Sequence, residues 1–260
     1  MSSTPTANST PAPLHLLSLA ATIDPQDPPL KGYQAAIDAL VQWQLQTPSV
    51  GLPGIDAAIL LAGLENFTQA YLGAYRQSPP DATMRKTLDT AYAVIVAQCL
   101  LPAAVAVHQD CTPAQMHLHS TAPLKFVVAG PAAPATPALG PISFDIASLT
   151  RDPRLQWEEP FILDVTIRYW DQARKAGLPV GDDFGEFYRA VEWAGLHRHL
   201  RMAGEWGRAA VLGTADSTGT ALLAAIRTTC NRYIELKPLL RLIEGVEGIA
   251  APAGFAFGRI

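Results

Sequence analysis

The chain has 260 residues, of which 49% are hydrophobic, so there is ample apolar material for a sizeable buried core. Its 23 acidic and 19 basic residues leave a formal charge of -4 without a dense Lys/Arg stripe, which argues against a nucleic-acid or membrane surface and points to a small or neutral partner. Three widely spaced cysteines, Cys99, Cys111 and Cys230, with no Cys-x-x-Cys pair, fit reduced, buried thiols and a cytoplasmic setting better than disulfides or zinc.

Residues 1–13, rich in Ser, Thr and Pro, read as a disordered leader, with neither the basic start nor the apolar run of a signal peptide. The apolar run from Leu14 to Ile23 is too short to span a bilayer. Helical spacing of Ile37, Leu40, Val41 and Leu45 predicts a first helix from Gln34 to Gln46, ended by Pro48. A second is expected from Asp56 to Tyr75. A third carries the stripe Leu88, Tyr92, Ile95, Val96, Cys99, Leu100 and is closed by Pro102. Between 103 and 144 the pattern changes to short apolar or alternating runs, as in small strands joined by loops. The stretch from Gly130 to Pro141, with its four prolines, should be a partly extended loop.

Beyond Asp145 helices return. Pro160 suits a first helical turn, and Gly177 with Pro179 ends that helix; Asp182 is placed to cap the next, which runs from Phe184 toward Trp206; a last helix spans roughly Ser217 to Leu236. The expected fold class is α+β, predominantly helical, with a small β region. His117 and His119 alternate on a strand and could share a soft metal with Cys111, but half-exposed strand histidines are the plainer reading.

Two stretches carry a resemblance. Val105 to His119 places His108-x-Asp110 between two strands, similar to the catalytic loop of protein-kinase-like phosphotransferases. Downstream, GPISFDIASLTRD (Gly140 to Asp152) and the helix–AGLP–helix run from Arg168 to Gly204 resemble the aminoglycoside-phosphotransferase and choline-kinase-like superfamily. Closest are the bacterial kinases that phosphorylate the anomeric hydroxyl of N-acetylmuramate or N-acetylglucosamine. Ala36 to Gln44 is similar to the first helix of their C-terminal lobe, and the likeness covers residues 33–245.

The resemblance implies a protein-kinase-like C-terminal lobe at 33–245, preceded by a remnant of the inter-lobe hinge at 14–32 and followed by a tail at 246–260. It makes Asp110 the position of the base that addresses the acceptor hydroxyl, and His108 and Asp145 the supports of that loop. His197, Arg198, His199 and Arg201 become a basic cluster on the substrate side, set against the alternative of an ordinary charged helix face with Glu192 and Glu205. The family uses ATP and Mg²⁺, and an N-terminal β-rich lobe of roughly a hundred residues with a Gly-rich loop and an ATP-binding Lys. Only about thirty residues precede the matched region here, and before Arg76 the one Lys or Arg is Lys31.

Between Asp110 and Asp145, moreover, there is no Asp, Glu or Asn. The position of the metal-binding Asn is Gln115, and that of the metal-binding Asp falls near Ala133, in Ala133-Pro134-Ala135-Thr136-Pro137. No cofactor is therefore expected, and no metal site. The expectation is a degenerate amino-sugar-kinase relative that binds an amino sugar, another small polar ligand or a partner protein, including a homo- or hetero-oligomer through the face a missing lobe would leave. The alternative is an active ATP-dependent phosphotransferase completed by another chain or by an upstream region.

Overall fold

A computed structural model describes residues 16–24, 29–121, 125–131, 136–155 and 157–249, with side-chain detail outside 16–17 and 118–131. Expectations that fall on 1–13, on Ala133 to Ala135 or on the side chain of His119 lie outside the described residues. The fold is α+β and mainly helical. Its elements are β1 (Leu16–Ser18), α1 (Leu30–Gln46), α2 (Ala57–Asn66), α3 (Ala82–Cys99), β2 (Ala104–Val107), β3 (Met116–Thr121), β4 (Lys125–Pro131), β5 (Ala138–Pro141), α4 (Ser143–Thr150), α5 (Glu159–Lys175), α6 (Phe184–Val211), α7 (Gly219–Arg232) and α8 (Lys237–Glu247). The strands form two antiparallel sheets, β1-β3-β4 and β2-β5. No described helix is long and apolar enough to cross a membrane.

Several boundaries have local causes. Asp56, Asp81 and Asp183 each accept a backbone N–H from three residues on, starting α2, α3 and α6. The cap of α6 is thus Asp183 rather than Asp182. Glu186, three residues beyond Asp183, places a carboxylate in the first turn, whereas the exposed Asp182 reaches back to Arg174 at 3.4 Å. The helix expected to run from Asp56 to Tyr75 changes pitch midway: Phe67–Tyr75 is π-helical and closes with Arg76 N–H on the Tyr71 carbonyl. The expected last helix breaks at Tyr233, and Pro238 then opens a separate α8, which ends on left-handed Gly248 at φ 66°. Within the proline-rich stretch expected to be a loop, Ala138–Pro141 pairs with β2 as an edge strand.

Two apolar clusters share α6. Val191 and Ala194 pack with α1, β2, α4 and α5, while Trp193, Leu196, Leu200 and Ala203 pack with α2, α3, α7 and α8. Helix α6 also lies against the π-helical segment at backbone range. A Cβ on Gly204 would stand 2.6 Å from the Asn66 carbonyl carbon, and one on Gly207 2.9 Å from Tyr71 Cα. Gly140 has a similar reason: a Cβ there would meet Ile55 Cδ1 at 2.7 Å, where Ile55 N–H bonds the Leu139 carbonyl at 2.8 Å.

Gly204→Ala is expected to destabilise the fold by about 1–3 kcal/mol, because rigid backbone faces the new methyl. Gly245→Ala in α8, where nothing lies within 4 Å, is expected instead to gain about 0.5–1 kcal/mol. Urea midpoints at unchanged slope measure both.

Candidate functional site

The site is built on the turn after β2. Asp145, at the start of α4 and 0% exposed, accepts the His108 N–H at 2.8 Å and the Gln109 N–H at 3.1 Å on its two carboxylate oxygens. Those bonds hold Gln109 at φ 69°, a left-handed conformation uncommon for a residue with a Cβ. The Gln109 side-chain amide donates to the Thr136 carbonyl at 2.8 Å, fixing the turn from its other side. His108 is buried with its ring edge-on to Trp43. Burial pushes the Asp145 carboxyl up to about 6, against the opposing pull of the His108 and Gln109 bonds and of Arg198, so it is ionised at neutral pH.

Asp110 follows the turn and is presented to a cavity of about 490 Å³ at the seam between the two apolar clusters. Its Oδ1 lies 3.2 Å from Nη2 of Arg198, and the pair is unequal: 58% of the Asp110 side chain is exposed, against 10% of Arg198. The cavity wall is partly apolar, from Ile55, Ile59, Leu60, Phe144 and Met202. Its polar lining comes from the turn and from Ser148, His197, Arg198, Arg201 and Glu205. Arg198 Nε is buried without a partner. Arg201 pairs with Glu205 at 2.6 Å.

The basic cluster read from the sequence is divided by the helix. His197, Arg198 and Arg201 line this cavity, but His199 lines a smaller one of about 220 Å³ beside α7, with its Nε2 on the Arg151 carbonyl at 2.7 Å. Nε2 of His197 stands 3.0 Å from the Leu60 carbonyl, and its ring stacks on Phe144. Burial pushes both histidines down to about 4, so both are neutral at pH 7. Glu192 is turned away from His197 and joins a network with Arg151, Arg232 and Tyr233. Burial alone would raise nearby Glu159, but Arg232, Tyr188 and Arg151 hold it down to about 2.

Sequence reasoning did not single out Phe144, Ser148, Met202 or the α2 wall. Phe144 and Ser148 had a signal, since they flank Asp145 in GPISFDIAS at helical spacing. The Arg151–Glu192–Arg232 network had none, because its members are far apart in the chain.

The residues present do not fit a Mg²⁺ ion bridging nucleotide phosphates. Asp110 already carries Arg198, and the interval from Cys111 to Phe144 offers no carboxylate or Asn. Gln115 occupies a tight turn, its N–H on the Thr112 carbonyl at 2.9 Å. Among the described residues no group of three or more His, Cys, Asp or Glu is arranged to hold a metal ion. The reading of Cys111 as a partner of His117 fails sterically: Cys111 is wholly buried against Met116 Sδ, and burial raises its thiol pKa well above the ordinary value.

No protein-family model matches the chain. Among curated proteins, it is 35% identical over 232 residues to the N-acetylmuramate/N-acetylglucosamine kinase of Neisseria meningitidis serogroup B, covering 85% of this chain and 66% of that protein. It is 30% identical over 182 residues to the Pseudomonas aeruginosa protein of the same name, covering 68% of this chain and 50% of the relative. A Pseudomonas putida protein of that name is 29% identical over 175 residues, 66% of this chain and 49% of the relative. The chain thus spans between about half and two thirds of the length of these relatives.

Asp145→Ala leaves the His108 and Gln109 N–H groups without their acceptor and is expected to lower stability by about 2–4 kcal/mol, read from denaturant unfolding at pH 7. Acid provides a second check. His197 and His199 protonate near 6.5 when unfolded but near 4 when folded, so their contribution is complete above pH 6.5 and lost toward pH 4. Asp145 works the other way, gaining stability as pH falls from about 6 to 3.8. Two groups outweigh one, and the urea midpoint is expected to fall between pH 6.5 and 4; a rising midpoint would assign the dominant titration to Asp145.

Proposed function

We propose that this chain, a relative of the amino-sugar kinases, holds an amino sugar in the cavity before Asp110 and cannot hold Mg-ATP with its own residues. The kinship rests on the 35% identity to the Neisseria protein. The observation that carries the reading is the Asp110–Arg198 pair at a cavity with one partly apolar wall. A sugar has polar edges and apolar faces. Asp110 accepts a hydrogen bond from a sugar hydroxyl, and Arg198 donates to an adjacent ring or hydroxyl oxygen. Phe144 and the α2 side chains cover an apolar face of the ring and keep water from it.

In this reading residues 33–245 are a kinase-like C-terminal lobe, with His108 and Asp145 as loop supports and Asp110 as the acceptor-facing carboxylate. Supporting the loss of nucleotide chemistry is the interval from Cys111 to Phe144, which supplies no hard anionic oxygen for a divalent cation. A second chain or a further segment that brought those ligands would make the unit an active phosphotransferase, with Asp110 taking the proton of the attacking hydroxyl.

Calorimetry on the full chain is the test. N-acetylglucosamine is expected to bind, and Asp110→Ala to weaken it about tenfold, the loss of one charge-assisted hydrogen bond. Millimolar Mg-ATP is expected to give no stoichiometric binding. Saturable Mg-ATP binding would replace this reading with that of a complete kinase.

A further inference from the structure

The charges around the cavity cancel in pairs. Among the described residues four ionised side chains line it, Asp110, Arg198, Arg201 and Glu205, and each cation is already held by an anion: Arg198 by Asp110 at 3.2 Å and Arg201 by Glu205 at 2.6 Å. The next cation outward, Arg154, is held by Asp152. His197 is uncharged at neutral pH because burial disfavours its cation. What the cavity lacks is a hydrogen-bond acceptor, not a negative charge. Arg198 is 8% exposed, and among the described residues Asp110 is its one hydrogen-bonded partner and its Nε is buried without any.

We infer that the cavity selects a neutral acetamido sugar and discriminates against the same sugar carrying a carboxylate; this rests on the sugar-binding reading above. A neutral hydroxyl or amide carbonyl satisfies Arg198 without disturbing its pair, and a hydroxyl can at the same time donate to Asp110. A ligand carboxylate that reached Arg198 would stand against Asp110, and one that reached Arg201 would stand against Glu205. At the Asp110–Arg198 pair, where the guanidinium is buried, such a like-charge contact is screened less than in open water; at the more exposed Arg201–Glu205 pair it is weaker. Volume does not decide the matter, since about 490 Å³ lies well within the range of pockets that take ligands larger than one sugar ring. The two substrates in the relatives' name differ in this respect, because N-acetylmuramate bears a lactyl carboxylate that N-acetylglucosamine lacks.

The experiment titrates the full chain at pH 7.5 with N-acetylglucosamine, N-acetylmuramate and the methyl ester of N-acetylmuramate, which keeps the bulk and removes the charge. The neutral sugar is expected to bind at least about tenfold more tightly than the acid, and the ester to recover most of that difference. In Asp110→Asn, which frees the Arg198 charge by altering an exposed side chain, the acid is expected to gain about tenfold while the neutral sugar loses affinity. In Glu205→Gln, a gain confined to the acid is again expected. Acid and neutral sugar binding equally well overturns the inference while leaving the sugar site standing. An ester as weak as the acid also overturns it, by showing that bulk rather than charge decides. Binding of none of the three removes the sugar-binding reading and this inference together.

Discussion

The carboxylate of Asp145 is the constraint from which the site is built. It is wholly buried, and two backbone N–H groups of the turn after β2 end on it. Together with the Gln109 amide on the Thr136 carbonyl, those bonds hold Gln109 at positive φ, a conformation that costs of order 1–3 kcal/mol for such a residue. That backbone reversal delivers Asp110 to the cavity rather than to the sheet. Asp145 is in turn seated by α4, and α4 by β5, whose Gly140 allows the 53–55 segment to close over it. The GPISFD stretch is therefore one mechanical unit: a strand edge, a helix start and an anchor for the turn whose Asp110 faces the cavity.

Helix α6 supplies the opposite wall and pays for its central position with buried polar groups. It passes between two apolar clusters, so the residues from Glu192 to His199 are all buried, charged ones included. Each polar side chain there has found a different solution. Glu192 collects Arg151, Arg232 and Tyr233; His197 and His199 surrender their charge and bond backbone carbonyls. Arg198 cannot surrender its charge and, among the described residues, hydrogen-bonds one carboxylate, that of Asp110, 88 residues away in the chain.

Much of this was legible in the sequence, for identifiable reasons. Apolar periodicity located the helices because each has one face against a cluster, and proline and glycine marked their ends. It could not register the change to π-helical pitch at Phe67, in the segment that Gly204 and Gly207 approach closely from far along the chain. Nor could it choose between Asp182 and Asp183 as the α6 cap, adjacent residues of identical chemistry. Four basic letters among the five from 197 to 201 suggested one patch, although a helix turns about 100° per residue and sets His199 some 200° from His197. That arithmetic was available from the sequence alone. The pairing of Arg198 with Asp110 was not, since 88 residues separate them and only the folded turn brings them together.

The residues that line the cavity and those of the interval without Asp, Glu or Asn lie in different parts of the chain, meeting at Phe144. The cavity is made by α2, the turn at 108–110, α4 and α6, while the interval that would have to ligate Mg²⁺ lies between Cys111 and Phe144. Apart from Thr136, Gly140 and Phe144, which touch the turn, the 53–55 segment and the cavity, that interval is bypassed by the Asp145 anchor, which reaches directly to His108 and Gln109. The anchoring bonds are backbone N–H to carboxylate and make no demand on the side chains in between. The buried Asp145 anchor, the Asp110–Arg198 pair at the cavity and an interval without Asp, Glu or Asn thus stand side by side in one chain.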